Sequence, residues 1–165
     1  MIALVQRVRE ASVTVDNTTL GAINRGLLVF LGIHSNDTTA EANWLARKCA
    51  RLRIFADDAG QMNLSVGDIG GKVLLISQFT LYGNVKKGLR PSFVQAARPE
   101  IAEPLYEYFR DRLSGELGHP VVCGSFGGYT QVSLVNDGPV TISIEREPRT
   151  LTSLKDELQP RQEKT

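Results

Sequence analysis

"TQVSLVNDGPVTISI", residues 130–144, alternates polar and apolar side chains on either side of an interruption. Thr130 to Val135 reads as one half-buried strand and Val140 to Ile144 as another. Between them stands Gly138-Pro139, and proline cannot donate to a β-ladder. Asn136, Asp137, Gly138 and Pro139 are all good turn residues, so one reading is a hairpin turn joining strands at 129–136 and 139–145. The other is a backbone deliberately aimed at something outside the ladder. The local residues leave both open.

Upstream, residues 2–8, 11–16, 20–23 and 26–33 read as short strands, with "VDNTTLG" (15–21) turning the second into the third. "DTTAEANWLARKCARL" (37–52) reads as a helix: Thr38 and Glu41 have capping-box spacing, and Ala42, Leu45, Ala46, Cys49 and Leu52 recur at helical intervals. Cys49 therefore belongs to an apolar stripe and reads as a buried, inert thiol. "KVLLISQFTLYG" (72–83) is almost continuously apolar, the pattern of a strand buried on both faces. After the loop "GNVKKGLRPSF" (83–93), "EPLYEYFRDRLSGEL" (103–117) reads as a second helix. Pro104 suits its first turn, with Leu105, Tyr108, Phe109 and Leu113 as its core face. A further strand falls around 120–124. Many short strands and two helices predict an α+β fold, a curved, barrel-like sheet with the helices packed against it.

A chain of 165 residues is long enough to bury roughly two-thirds of its unfolded surface in one domain, assigned here to residues 1–145. The segment 146–165 is polar, balanced in charge and broken by Pro148 and Pro160, and it reads as a loosely attached tail. Net charge of +1 gives no global attraction to nucleic acid or membrane, so any RNA contact must come from a local patch. Arg7, Arg9 and Glu10 break the apolar N-terminus, which reads as a strand and not a leader, and no stretch reaches membrane-spanning length. Cys49 and Cys123 form no metal or redox spacing and fit a reducing, cytoplasmic compartment.

The familiar catalytic kits are missing. His34 and His119 have no HExxH spacing or carboxylate partner, and no GxSxG elbow, phosphate loop or calcium loop occurs. No metal or organic cofactor is expected. What stands out is Ser77-Gln78-Phe79-Thr80-Leu81, where a hydrophobic strand abruptly acquires polar side chains. If the strand stayed straight, Gln78 and Thr80 would share a face.

"SQFTLYG", then "KKGLRPSF", then "NDGPVT" near the end, together with "NLSVGDIGGKVLLISQFTL" and "RPEIAEPLYEYF", resemble the D-aminoacyl-tRNA deacylase family over essentially residues 1–145. The resemblance implies a homodimer of barrel-like domains, with active sites at the subunit interface. Its partner is the aminoacylated 3′ end of tRNA, and neither DNA nor a membrane is expected. The reaction implied is hydrolysis of the ester joining a D-amino acid, or mischarged glycine, to tRNA. The resemblance also implies that Gly138-Pro139 is a cis peptide whose carbonyls enter the neighbouring subunit's pocket, buttressed by Arg7. Fixed backbone occupying the place of an L side chain would exclude L-substrates by collision.

The same resemblance assigns the main-chain N–H of Phe79 to the developing oxyanion, with Ser77, Gln78 and Thr80 around it and Phe93, Ala96 and Thr130 lining the pocket. An activated ester beside a vicinal ribose hydroxyl needs orientation more than a strong base, which fits the missing triad. Thr80 reads as a positioning group. Lys86, Lys87 and Arg90 supply a basic patch for phosphates of the single-stranded end. Thr130 departs from the family's usual methionine after "SFGG". Two alternatives are a relative with a trans Gly-Pro that edits a mischarged L-amino acid, and a non-catalytic binder of tRNA ends.

Overall fold

Strand β1 (Ile2–Val15) organises the molecule because three other strands use it. Its first half pairs antiparallel with β3 (Gly26–Gly32), and its second half with β2 (Thr18–Ile23). Both halves pair antiparallel with a final strand, Gln131–Glu145. The two short strands expected at 2–8 and 11–16 are thus one strand. The division in the sequence is real, but it marks a change of side. Ala3 and Val5 face one core, while Val8, Ala11 and Val13 face another. A strand that keeps pairing while it bends needs irregular register, and it shifts between Gln6 and Val8 and again between Val8 and Glu10.

A computed structural model describes residues 1–148, so the tail assigned from 146 lies outside the described residues from 149 onward. After β3 the chain forms α1 (Thr39–Ala50), the small pair β4 (Phe55–Ala56) and β5 (Met62–Leu64), and β6 (Lys72–Ser77). A 3-10 turn (Phe79–Tyr82), α2 (Pro99–Leu117), β7 (Val122–Cys123) and β8 (Gln131–Glu145) complete it. The main sheet runs β2-β1-β3-β6-β7, with β8 added on β1. β3 and β6 are parallel, as are β6 and β7. The outer strands β2 and β7 approach each other, so the mixed sheet almost closes into a barrel.

Two apolar layers explain the unbroken hydrophobic runs. On β3, Leu27, Val29 and Leu31 pack toward the helices, while Leu28, supported by Phe30, fills the barrel interior. β6 divides the same way, Val73 and Leu75 against Leu74 and Ile76. A strand buried on both faces loses the polar half of its alternation.

α1 starts with the capping box expected at Thr38 and Glu41, and buries Ala42, Leu45, Ala46 and Cys49. Burial pushes the Cys49 thiol up to about 12. α2 begins earlier than the sequence implies: Pro99, not Pro104, opens it, and Pro104 lies within the helix on its exposed side. Its buried face is Ala102, Tyr106, Phe109 and Leu113, with Leu105 and Tyr108 only half-buried. No described helix is long and apolar enough to cross a membrane.

Gly26 lies between two strands, paired with Val8 on one side and Lys72 on the other. A Cβ there would stand 1.9 Å from the Lys72 carbonyl oxygen. Neither strand can move without breaking the two-layer packing. Gly26→Ala should therefore cost about 3 kcal/mol of stability, measured as a lower urea midpoint with unchanged slope. Wild-type stability in that variant would show that the strands are not held as described.

Candidate active site

β8 is one strand and not two strands folded on each other. Gln6 faces Thr141 and Val8 faces Asn136, so four residues, Asp137 to Val140, stand opposite Arg7 alone. The interruption at Gly138-Pro139 is a bulge in a continuous strand, which rules out the hairpin-turn reading of the two left open by the residues. The peptide is cis. Proline is tolerated because the extra residues lie outside the ladder.

Side chains fix the bulge from both ends. The Asn136 side chain accepts from the Val140 amide (2.7 Å) and donates to the Val140 carbonyl (3.2 Å), closing the loop on itself. Arg7 Nε donates to the Asp137 carbonyl (2.8 Å), and its Nη1 donates to the carbonyl of Ile54. The Asp137 carboxylate lies between Arg7 (3.7 Å) and Arg9 (3.3 Å). Gly138 has φ +146°, and a Cβ would meet Val140 Cγ2 at 2.8 Å and Arg7 Nη2 at 3.0 Å. Only glycine fits. Gly138 and Pro139 themselves are exposed.

The second odd stretch forms the wall of a cavity of about 710 Å³. β6 ends at Ser77 and the chain tightens into the 3-10 turn, so Gln78 and Thr80 do not share a straight strand's face as expected. Gln78 instead folds back to donate to Thr80 Oγ1. Ser77 Oγ accepts from the Gly127 amide at 3.4 Å. The cavity brings together Ser77, Gln78, Phe79, Thr80, Phe93, Ala96 and Thr130, all singled out in the sequence. The Phe79 and Phe93 rings meet edge to face at 5.2 Å. At the start of a helical turn the first amides have no intrahelical acceptor, and those of Phe79 and Thr80 make no hydrogen bond to any described residue.

Arg98 is the cavity's one charged lining residue among the described residues. Arg98, Pro99 and Ala102 come from the α2 N-terminus, and Phe126 to Tyr129 from the segment before β8. Of these, "SFGG" had a sequence signal, whereas Asn136 and the Ile54 carbonyl had none beyond turn propensity and chance. Gly138 and Pro139 do not line their own chain's cavity. Lys86 lines a neighbouring groove with Asn84 and Glu145, while Lys87 and Arg90 are exposed on the same loop. No group of three or more His, Cys, Asp or Glu side chains among the described residues is placed to hold a metal.

A barrel-like sheet with a cleft at its strand ends that holds no carboxylate, imidazole or thiol has known counterparts. The family model described as D-Tyr-tRNA(Tyr) deacylase matches residues 4–145, and the chain belongs to the D-aminoacyl-tRNA deacylase family, hydrolases of the ester bond to tRNA. The relative from Roseiflexus castenholzii named D-aminoacyl-tRNA deacylase is 58% identical over 153 residues, covering 90% of this chain and 97% of the relative. Its namesake from Opitutus terrae is 56% identical over 149 residues, covering 90% and 99%. Among solved structures, one titled c-Myc DNA Unwinding Element Binding Protein aligns with TM-score 0.84 at 43% identity, over 89% of this chain and 99% of that one. Another, titled as a probable eukaryotic D-amino acid tRNA deacylase, shares the fold with TM-score 0.76 at 17% identity, over 87% and 98%.

Arg7 is mostly buried and its planar fork serves two carbonyls from different segments. Arg7→Lys should lose one of these bonds, costing about 1.5–3 kcal/mol. A thermal melt of this variant equal to wild type would show that the fork does not hold the bulge.

Proposed function

We propose that the protein hydrolyses D-aminoacyl-tRNA, and glycyl-tRNA with it, releasing the free amino acid and intact tRNA. The observation that carries this is the pair of unpartnered amides, Phe79 and Thr80, on a cavity wall without a carboxylate, imidazole or thiol. Such a site suits a substrate that is already activated. An aminoacyl ester needs its carbonyl oxygen stabilised as charge develops, and losing one donor of that kind typically costs about 2.7–4 kcal/mol. The terminal ribose supplies a hydroxyl beside the ester, so orientation replaces a general base.

The Phe79 amide is assigned to the oxyanion, with Gln78 and Thr80 holding the turn in shape. Phe93, Ala96 and Thr130 are assigned to the walls that receive the amino acid and terminal adenosine. Stereochemical selection falls to Gly138-Pro139. In a homodimer, the bulge of one protomer would enter its partner's cavity and its carbonyls would hold the substrate ammonium group. Three features support that gate. The bulge is exposed, it does not line its own cavity, and Asn136 and Arg7 hold it rigid. Backbone held so cannot swing aside to admit an L side chain, whereas glycine has nothing to collide. Lys86, Lys87 and Arg90 would take phosphates of the single-stranded end, and the compartment is the cytoplasm, where charged tRNA is found.

Incubation with D-Tyr-, L-Tyr- and Gly-charged tRNA tests the assignment. Release from the D and Gly substrates with L-Tyr-tRNA intact is the expected result, and selective release of L-Tyr, or no release, overturns it. Thr80→Ala should keep kcat within about tenfold of wild type, the loss expected for one hydrogen bond. A collapse of kcat in a folded Thr80→Ala protein would instead assign Thr80 as a covalent nucleophile.

A further inference from the structure

We propose, on the basis of that function, that Arg47, Arg51 and Arg112 form a second tRNA contact, a phosphate-binding cluster on the helical layer away from the cavity. The three guanidinium groups surround a single carboxylate, Glu116, at 3.6, 3.3 and 3.9 Å. Glu116 is 14% exposed, whereas the arginines are 59%, 72% and 45% exposed. One negative charge cannot neutralise three positive ones, so the cluster keeps a net positive charge in a chain whose overall balance is +1. None of the three guanidinium groups makes a hydrogen bond to a described residue beyond these ion pairs. Each therefore engages Glu116 through one nitrogen and keeps the other donors of its planar fork, the geometry that matches phosphate oxygens.

A bracing role explains the arrangement less well. The seam between α1 and α2 is already closed by Leu45, Ala46, Cys49, Phe109 and Leu113, and by Tyr108 donating to Asn43 at 3.2 Å. Exposed ion pairs add little to stability. Arg47 also suits the C-terminal end of the α1 dipole, but Arg112 does not lie in the last turn of α2.

Position points to RNA. α2 starts at the cavity, where Pro99 lines the wall, and Glu116 lies 17 residues further on, about 25 Å along the helix. That is several nucleotides of backbone from the reacting ester, the reach of a tRNA acceptor arm. Glu100, Glu103 and Glu107 form an acidic row on α2. At about 100° per residue they lie more than a quarter-turn from Arg112, so the row does not cover the cluster.

The test uses the full chain as wild type, as Arg47→Gln/Arg51→Gln/Arg112→Gln, as the matching triple Lys variant, and as Glu116→Gln. Affinity for uncharged tRNA is measured against salt, and hydrolysis is followed with D-tyrosyl-tRNA and with the D-tyrosyl ester of adenosine. The Gln triple should raise the tRNA Kd about tenfold at low salt and flatten the salt dependence by about two units. Its rate on the adenosine ester should match wild type. The Lys triple should recover most of the affinity, and Glu116→Gln should tighten tRNA binding, which loss of a brace would never do. Unchanged Kd and salt slope in a Gln triple that melts like wild type overturn the proposal, as does weaker tRNA binding by Glu116→Gln. If wild type cleaves neither ester, the functional assignment fails while the Kd series still judges the cluster.

Discussion

The guanidinium of Arg7 sits where three parts of the chain meet: the middle of β1, the bulge of β8 and the carbonyl of Ile54 after α1. A three-residue excess in a long antiparallel strand would otherwise slide or flatten. Charge-assisted bonds to two carbonyls define where the excess lies and hold it outward. Asn136 completes the restraint from within the loop. The pairing of β8 along all of β1, and with it the edge of the sheet, depends on this local arrangement.

Much of the fold was legible in the residues. The capping box of α1, the two-faced burial of β6 and the barrel-like sheet all follow from spacing and composition. Where the reading broke, a tertiary restraint was responsible. β1 looked like two strands because its buried side changes near Arg7, and β8 divided into two at Gly138-Pro139 because turn residues make bulges as readily as turns. Pro104 looked like a helix start, but Pro99 provides one five residues earlier. The cavity was legible as two odd motifs. Its third wall, Phe126 to Tyr129, carries only glycines and aromatics, whose meaning depends on what folds beside them.

The cleft carries no carboxylate, imidazole or thiol among its lining residues. Its polar groups include main-chain amides at the tightening of β6 into a 3-10 turn, held by Gln78 on Thr80 and by Ser77 under Gly127. Main-chain donors do not titrate, so their geometry does not change with pH. The Cys49 thiol is not among the cavity's lining: it is buried in the helical core and raised to about 12. Burial raises the Tyr106 hydroxyl as well, and it donates to the Leu75 carbonyl within the sheet.

β3 and β6 run side by side in the same direction, so both deliver their final residues to one rim of the barrel. Hydrophobic packing ends there: Leu75 and Ile76 are sealed in the two layers, while Phe79 and Thr80, a few residues on, are open to the cavity. Structural and chemical duties are thereby divided along the chain at Ser77. Substitutions beyond that point can reshape the cleft while leaving the scaffold's interior untouched, so the cavity wall and the core are free to vary independently.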